Sequence, residues 1–284
     1  MPVAVVTDST AHLPEGFAER HAVRVIPLRV LVDGRAVLDG VDIGPGELAA
    51  ALASRRTVTT SRANPDEFIP LYEELLASGA SGVVSVHLSK ELSGTWESAR
   101  LAATEVGGGR VRVVDSRTTV MGLGFAVLRA AEVACGGAEA AAVEEAAVEA
   151  AAGSRTFFML ETLEYLRRGG RIGAGAALLG TALAVKPVLH VDNGRIVPLE
   201  KVRTTGRALA RLVELAVAAA GDMPVRLAVH HLAASDRAAE LANRLDERVP
   251  GSSGCVVSEV GAVIGAHTGP GMLGVVVCPD ANLP

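Results

Sequence analysis

The stretch from Gly82 to Ala103, GVVSVHLSKELSGTWESARLAA, carries an apolar strand through a polar turn into a helix opening at Ser93-Gly94-Thr95. A helix start leaves several backbone N–H groups without intrahelical partners, and those groups favour an anion. Ser93 and Thr95 add two hydroxyls within one turn, and Gly94 leaves room for close approach. The chemistry on offer is capture of a carboxylate or phosphate oxygen. A plainer reading makes Ser93 only a helix cap, contributing about 1 kcal/mol. Arg171 stands just beyond Gly169-Gly170, on a turn that can aim a guanidinium at a bound anion, although a surface arginine fits the same pattern. His267 sits in the glycine-dense segment 261–271, read here as a close-approach loop. Together Ser93 and His267 suggest a nucleophile and its base, hence a serine hydrolase acting on a small ester or carboxylate. Ser93 is not in a G-x-S-x-G elbow, however, and no acidic residue is evident as the histidine's orienting partner. Both can instead serve as neutral hydrogen-bond donors to a carboxylate. A sugar- or phosphate-binding module is a third reading, since an anion pocket does not name its anion.

Other chemistries find little support. Cys135, Cys255 and Cys278 are widely spaced and form neither a disulfide framework nor a zinc pattern. His230 and His231 are neighbours on an expected strand and face opposite ways, while His12, His21, His87 and His190 stand alone. No metal or cofactor is expected. A formal net charge of -5 argues against a nucleic-acid partner, and 3% aromatic residues supply a poor stacking platform. The N-terminus reaches Asp8 too soon for a signal peptide, and no apolar run attains membrane-spanning length. A soluble, cytoplasmic protein is expected.

The elements that must position these residues alternate strand and helix, the pattern of an α/β fold. With 284 residues, 49% of them hydrophobic, two domains are expected. Residues 1–153 would form an N-terminal domain with a mostly parallel sheet, flanking helices and the Ser93 loop. Residues 154–284 would form a C-terminal domain with a mixed sheet covered by helices. Strands are expected at 3–6, 83–86 and 111–114, their polar ends Asp8-Ser9-Thr10, 89–95 and Asp115-Ser116 converging on one sheet edge, where ligands bind in open parallel sheets. A run over 23–32 carries Pro27, which implies an edge or a bulge, and turns at Asp33-Gly34. Asn64-Pro65-Asp66-Glu67 predicts a helix from Pro65 to about Ala77. Residues 125–152 suggest two helices broken at Gly136-Gly137. In the second domain the spacing predicts strands at 157–160, 225–230, 255–260 and 272–277 and helices at 163–168, 206–220 and 235–249. Asp192-Asn193-Gly194 predicts a type I′ hairpin joining strands at 187–191 and 195–201.

Five segments in register carry a resemblance. VVTDST at Val5–Thr10, Thr60-Ser61 ahead of a helix, LSGT at Leu92–Thr95, LEYLRRGGRI at Leu163–Ile172 and GAHTGPG at Gly265–Gly271 resemble the DegV family over essentially the whole chain. That resemblance implies two α/β domains and a fatty-acid-binding protein, the acyl-carrying subunit of bacterial fatty acid kinase, performing no chemistry itself. It implies that Ser93 binds the ligand carboxylate with Thr60 beside it, and that Arg171 and His267 complete the polar end. Ser61, Gly94, Thr95 and Thr268 belong to the same motifs. Where the family often has Thr-Ser-Gln-Pro-Ser, this chain has Thr60-Ser61-Arg62-Ala63-Asn64, which keeps the helix cap and adds a charge at Arg62. Phe68, Leu71, Phe125, Leu160, Ile172, Leu178 and Leu179 are candidates for an acyl tunnel, and equally for ordinary core. Arg167, Arg168, Lys201 and Arg203 are candidates for docking a kinase catalytic subunit, or for a solvated face. The partners implied are a long-chain fatty acid, that kinase subunit and a transient membrane surface contact.

Overall fold

The computed structural model describes residues 2–172 and 185–280. Its strands are β1 (Ala4–Asp8), β2 (Val23–Ile26), β3 (Arg29–Val32), β4 (Arg35–Leu38), β5 (Val58–Ser61), β6 (Val83–His87) and β7 (Val111–Asp115) in the first half. They continue as β8 (Arg155–Met159), β9 (Lys186–Asp192), β10 (Arg195–Val202), β11 (Val225–His231), β12 (Ser252–Glu259) and β13 (Leu273–Pro279). Two compact units result, one of Met1–Arg29 with Ser61–Gly153 and the other of Val30–Thr60 with Ser154–Pro284. Residues 30–60 go with the second unit, so the chain passes between the units after Arg29, Thr60 and Gly153.

The first unit holds a wholly parallel sheet in the order β2-β1-β6-β7. Parallel strands covered by helices are buried on both faces, as β6 is with all five residues buried, the polar Ser85 and His87 among them. Its helices are Pro65–Ala77, Thr95–Val106, Val120–Cys135 and Ala140–Gly153, with a short turn of helix at Phe17–Arg20. The first of these has the predicted limits, and Asn64 N–H donates to Glu67 Oε2 at 2.6 Å in a capping box. The third starts at Val120, five residues before the expected start at 125. Complete burial of Met121, Leu123 and Ala126 outweighs the poor helix propensity of Gly122 and Gly124. The run at 23–32 is two strands in different sheets, broken at Pro27-Leu28, since proline has no N–H to give a ladder. Pro27 therefore ends an edge strand, as its position implied.

The second unit carries a mixed sheet in the order β10-β9-β8-β13-β11-β12, antiparallel throughout except for β11 with β12. Asn193 and Gly194 have φ of 49° and 81°, the left-handed pair that a type I′ hairpin requires between β9 and β10. Helices Thr205–Ala220 and Ser235–Arg248 lay Leu212, Leu241 and Leu245 against Leu227, Val229 and Val275 of the sheet. A three-stranded sheet, β4-β3-β5, and helix Pro45–Ala53 also belong to this unit. The two α/β units, one with a parallel and one with a mixed sheet, match the expected fold class.

The segment at 261–271 is not a plain loop. It contains helix Ala262–Thr268, with His267 in its last turn. Asp39 Oδ1 accepts the Ala262 N–H at 2.7 Å and so caps the helix from a distant part of the chain. Gly265 is needed because a Cβ there would lie 2.3 Å from Leu48 Cδ2, so the glycine is a packing device.

Candidate functional site

In the first unit the register sets Val6 beside Ser85, so β1 and β6 end level and their C-terminal turns meet at one edge. The Ser93 turn is built from backbone bonds: Leu92 N–H and Ser93 N–H both donate to Ser89 O, at 2.9 and 3.1 Å, and Ser89 N–H donates to Thr118 O at 2.9 Å. Gly94, not Ser93, occupies the cap position of helix Thr95–Val106. Ser93 Oγ accepts the Thr95 N–H at 3.3 Å and shares a 2.9 Å hydrogen bond with Thr95 Oγ1. The two hydroxyls thus form a pair, Ser93 half-buried and Thr95 fully buried. Arg62 lies across Gly94: a Cβ on that glycine would come within 2.8 Å of Arg62 Cδ and 2.9 Å of Nη1. Its charge reaches Glu97, whose carboxyl is held low mainly by the Arg100 hydrogen bond and further by Arg62. Ser61 is exposed at the end of β5.

In the second unit Thr60 Oγ1 and His267 Nε2 are 2.7 Å apart. Burial, and then the positive charge of Arg171, push the His267 imidazole down to about 4, so it is neutral near pH 7. Its Nδ1 is buried without a partner. Gly169 makes room for the ring, since a Cβ there would sit 2.0 Å from His267 Nδ1. Arg171 is half-buried, its Nη1 donating to Gly169 O, so part of the guanidinium is occupied at the end of helix Glu164–Arg168. Thr268 Oγ1 donates to Ile264 O at 3.0 Å and keeps acceptor capacity only. The structure therefore brings Thr60, His267 and Arg171 together in one unit and Ser93, Gly94, Thr95 and Arg62 in the other.

The expected tunnel residues Phe68, Phe125, Leu160 and Ile172 are buried, the first two in the first unit and the others in the second. Leu71 is half-buried, and Leu178 and Leu179 lie outside the described residues. Arg167, Arg168 and Arg203 are exposed, Arg168 paired with Glu164, and Lys201 is half-buried. Among the described residues no group of His, Cys, Asp or Glu has metal-binding geometry, and no helix is long and apolar enough to cross a membrane.

Sequence reasoning passed over a buried array. Asp8 Oδ2 lies 2.9 Å from His87 Nδ1, His87 Nε2 lies 2.7 Å from Ser85 Oγ, and Tyr72 O–H donates to Ser85 Oγ at 2.8 Å. This has the order of a hydrolytic triad, yet Asp8, Ser85 and His87 have no exposed surface and Ser85 already serves Tyr72. No substrate reaches it. Ser93, the nucleophile of the alternative hydrolase reading, shares a hydrogen bond with the Thr95 hydroxyl. A signal was present in β6, where Ser85 and His87 alternate on one face of an otherwise apolar strand.

A family model described as "Uncharacterised protein, DegV family" matches residues 2–280. A DegV domain-containing protein of Streptomyces coelicolor is 56% identical over 275 residues, covering 97% of this chain and 98% of the relative. Among solved structures, a fatty-acid-binding DegV family protein from Thermus thermophilus superposes with a TM-score of 0.93 at 36% identity, covering 99% of this chain and 100% of that one. DegV of Bacillus subtilis, described as a fatty acid binding protein, gives 0.90 at 35% identity, with 99% and 100% covered. The chain belongs to the DegV family.

Proposed function

We propose that this chain binds a long-chain fatty acid, its tail in an apolar tunnel and its carboxylate held by Ser93 and Thr60. The observation that carries the reading is the His267 imidazole: neutral, bonded to Thr60 through Nε2 and left with a buried, unpartnered Nδ1. A buried ring nitrogen without a partner is costly, and a carboxylate oxygen supplies the missing acceptor when Nδ1 carries the proton. Arg171 adds positive charge beside it. The Ser93–Thr95 hydroxyl pair, set at a helix start, suits an oxygen anion in the same way. Two of the solved relatives are described by their fatty-acid binding, which favours a fatty acid over a sugar or a phosphate. Burial of the tail contributes about 0.8 kcal/mol per CH₂ before ordering costs.

The bound carboxyl group would be presented in the cytoplasm to a fatty acid kinase, which converts it to an acyl phosphate, this chain doing no chemistry itself. Arg167, Arg168, Lys201 and Arg203 are the docking candidates for that kinase, all but Lys201 exposed. Lys90 and Arg100 flank the Trp96 ring at 5.2 and 5.9 Å, a cation–aromatic rim suited to transient contact with an anionic membrane surface.

Native mass spectrometry of the purified protein, followed by denaturation and identification of what is released, tests the reading. A stoichiometric fatty acid that disappears on Ser93→Ala and Thr60→Ala replacement supports it. A protein that is empty, and stays empty after incubation with a panel of fatty acids, overturns it.

A further inference from the structure

We propose that Asp8 and His87 are positioning residues for the carboxylate-binding Ser93 turn, an inference that rests on the function proposed above. Asp8 is fully buried at the end of β1 and spends its oxygens on two loops. Oδ1 accepts the Thr10 N–H at 3.1 Å and the Thr10 hydroxyl. Oδ2 accepts the Leu88 N–H at 3.2 Å and faces His87 Nδ1. Leu88 is the first residue of the segment that ends at Ser93, and Ser89, next in the chain, receives the N–H groups of Leu92 and Ser93. One carboxylate thus fixes the start of the Ser93 turn.

His87 extends that control to a second element. With the proton on Nδ1, the imidazole donates to Asp8 and Nε2 accepts from the Ser85 hydroxyl, which in turn accepts from Tyr72, so every polar group in the chain is satisfied. Phe68 meets the imidazole edge-on at a centroid distance of 5.2 Å. Phe68 and Tyr72 both lie on helix Pro65–Ala77, which begins three residues after Arg62, the side chain lying over Gly94. The array therefore holds the Ser93 turn at one end and indexes the Arg62 segment at the other. A loop hydroxyl that must meet a carboxylate gains affinity when its turn is fixed in advance.

The test separates headgroup positioning from general stability by comparing palmitate with hexadecan-1-ol, which shares the tail and lacks the carboxylate. Asp8→Asn is expected to weaken palmitate about tenfold while changing hexadecan-1-ol less than about twofold. Two partial isosteres of the imidazole resolve the arms. His87→Asn places an amide near Nδ1 and keeps the Asp8 bond, so palmitate affinity stays within about threefold of the parent, whereas His87→Gln places it near Nε2 and reproduces the tenfold loss. Equal losses for both ligands, or none for either, overturn the proposal. If Asp8→Asn does not fold, the two His87 variants decide by the same comparison. Failure of the parent protein to bind palmitate at all would instead refute the fatty-acid reading.

Discussion

Lowering the pH should destabilise this protein through His267 by an amount that can be isolated. In the unfolded chain the imidazole has its ordinary value of 6.5, and in the folded unit it is pushed down to about 4 by burial and by Arg171. The folded state therefore binds the proton more weakly than the unfolded state. Stability from this group is complete above about pH 6.5, falls as pH drops toward 4 and is flat below that. At about 1.4 kcal/mol per pH unit the loss reaches about 2 kcal/mol at pH 5 and about 3 kcal/mol at pH 4. His267→Gln keeps an amide near the Thr60 hydroxyl and cannot titrate. His12, also pushed down to about 4 by burial, titrates in both proteins and cancels in the difference. Urea unfolding followed by far-UV circular dichroism at pH 7, 6, 5 and 4 should give a stability gap that shifts in favour of the variant by those amounts. Palmitate, by setting a negative charge near the ring, should shrink the shift. A gap that is constant across pH, or that moves in favour of the parent as pH falls, refutes the reasoning.

Other outcomes follow from single contacts. Gly169→Ala drives a methyl into the His267 ring and should cost about 2 kcal/mol in urea unfolding and weaken palmitate at least tenfold by fluorescence competition. Glu67→Ala removes both the Asn64 cap and the 2.7 Å Arg29 ion pair and should cost about 1–2 kcal/mol in the same unfolding experiment. Arg62→Gln should leave stability unchanged while flattening the salt dependence of palmitate affinity, because a guanidinium over Gly94 acts on the carboxylate by charge.

Much of the frame was legible because local chemistry dictates it. Asn64, Pro65 and Glu67 name a helix start through cap, fixed φ and returning carboxylate, and Asn193-Gly194 names a hairpin through the positive φ angles it tolerates. What stayed hidden depends on partners far away in sequence. Glycine at 265 reads as a loop until Leu48 is known to press on it. The pairing of Thr60 with His267 joins residues 207 apart, which no spacing rule connects. Thr60 was accessible only through the family motifs, whereas His267 stood out through its glycine-dense segment. The Asp8–His87–Ser85–Tyr72 array was half legible: β6 shows two polar residues on one face, but their acceptor is on another strand and their donor on a helix.

The excursion of residues 30–60 into the second unit has a consequence for synthesis on the ribosome. Asp39 waits for Ala262, 223 residues further on, before its buried carboxylate finds the helix it caps. At about 5–20 residues per second that interval is about ten to forty-five seconds. During it β3, β4, β5 and helix Pro45–Ala53 are translated without the helix that Leu48 packs against, a natural client window for a chaperone. Neither unit is a contiguous stretch of gene, so a stop codon after Gly153 would release a first unit still carrying an orphaned 31-residue insert, Val30–Thr60.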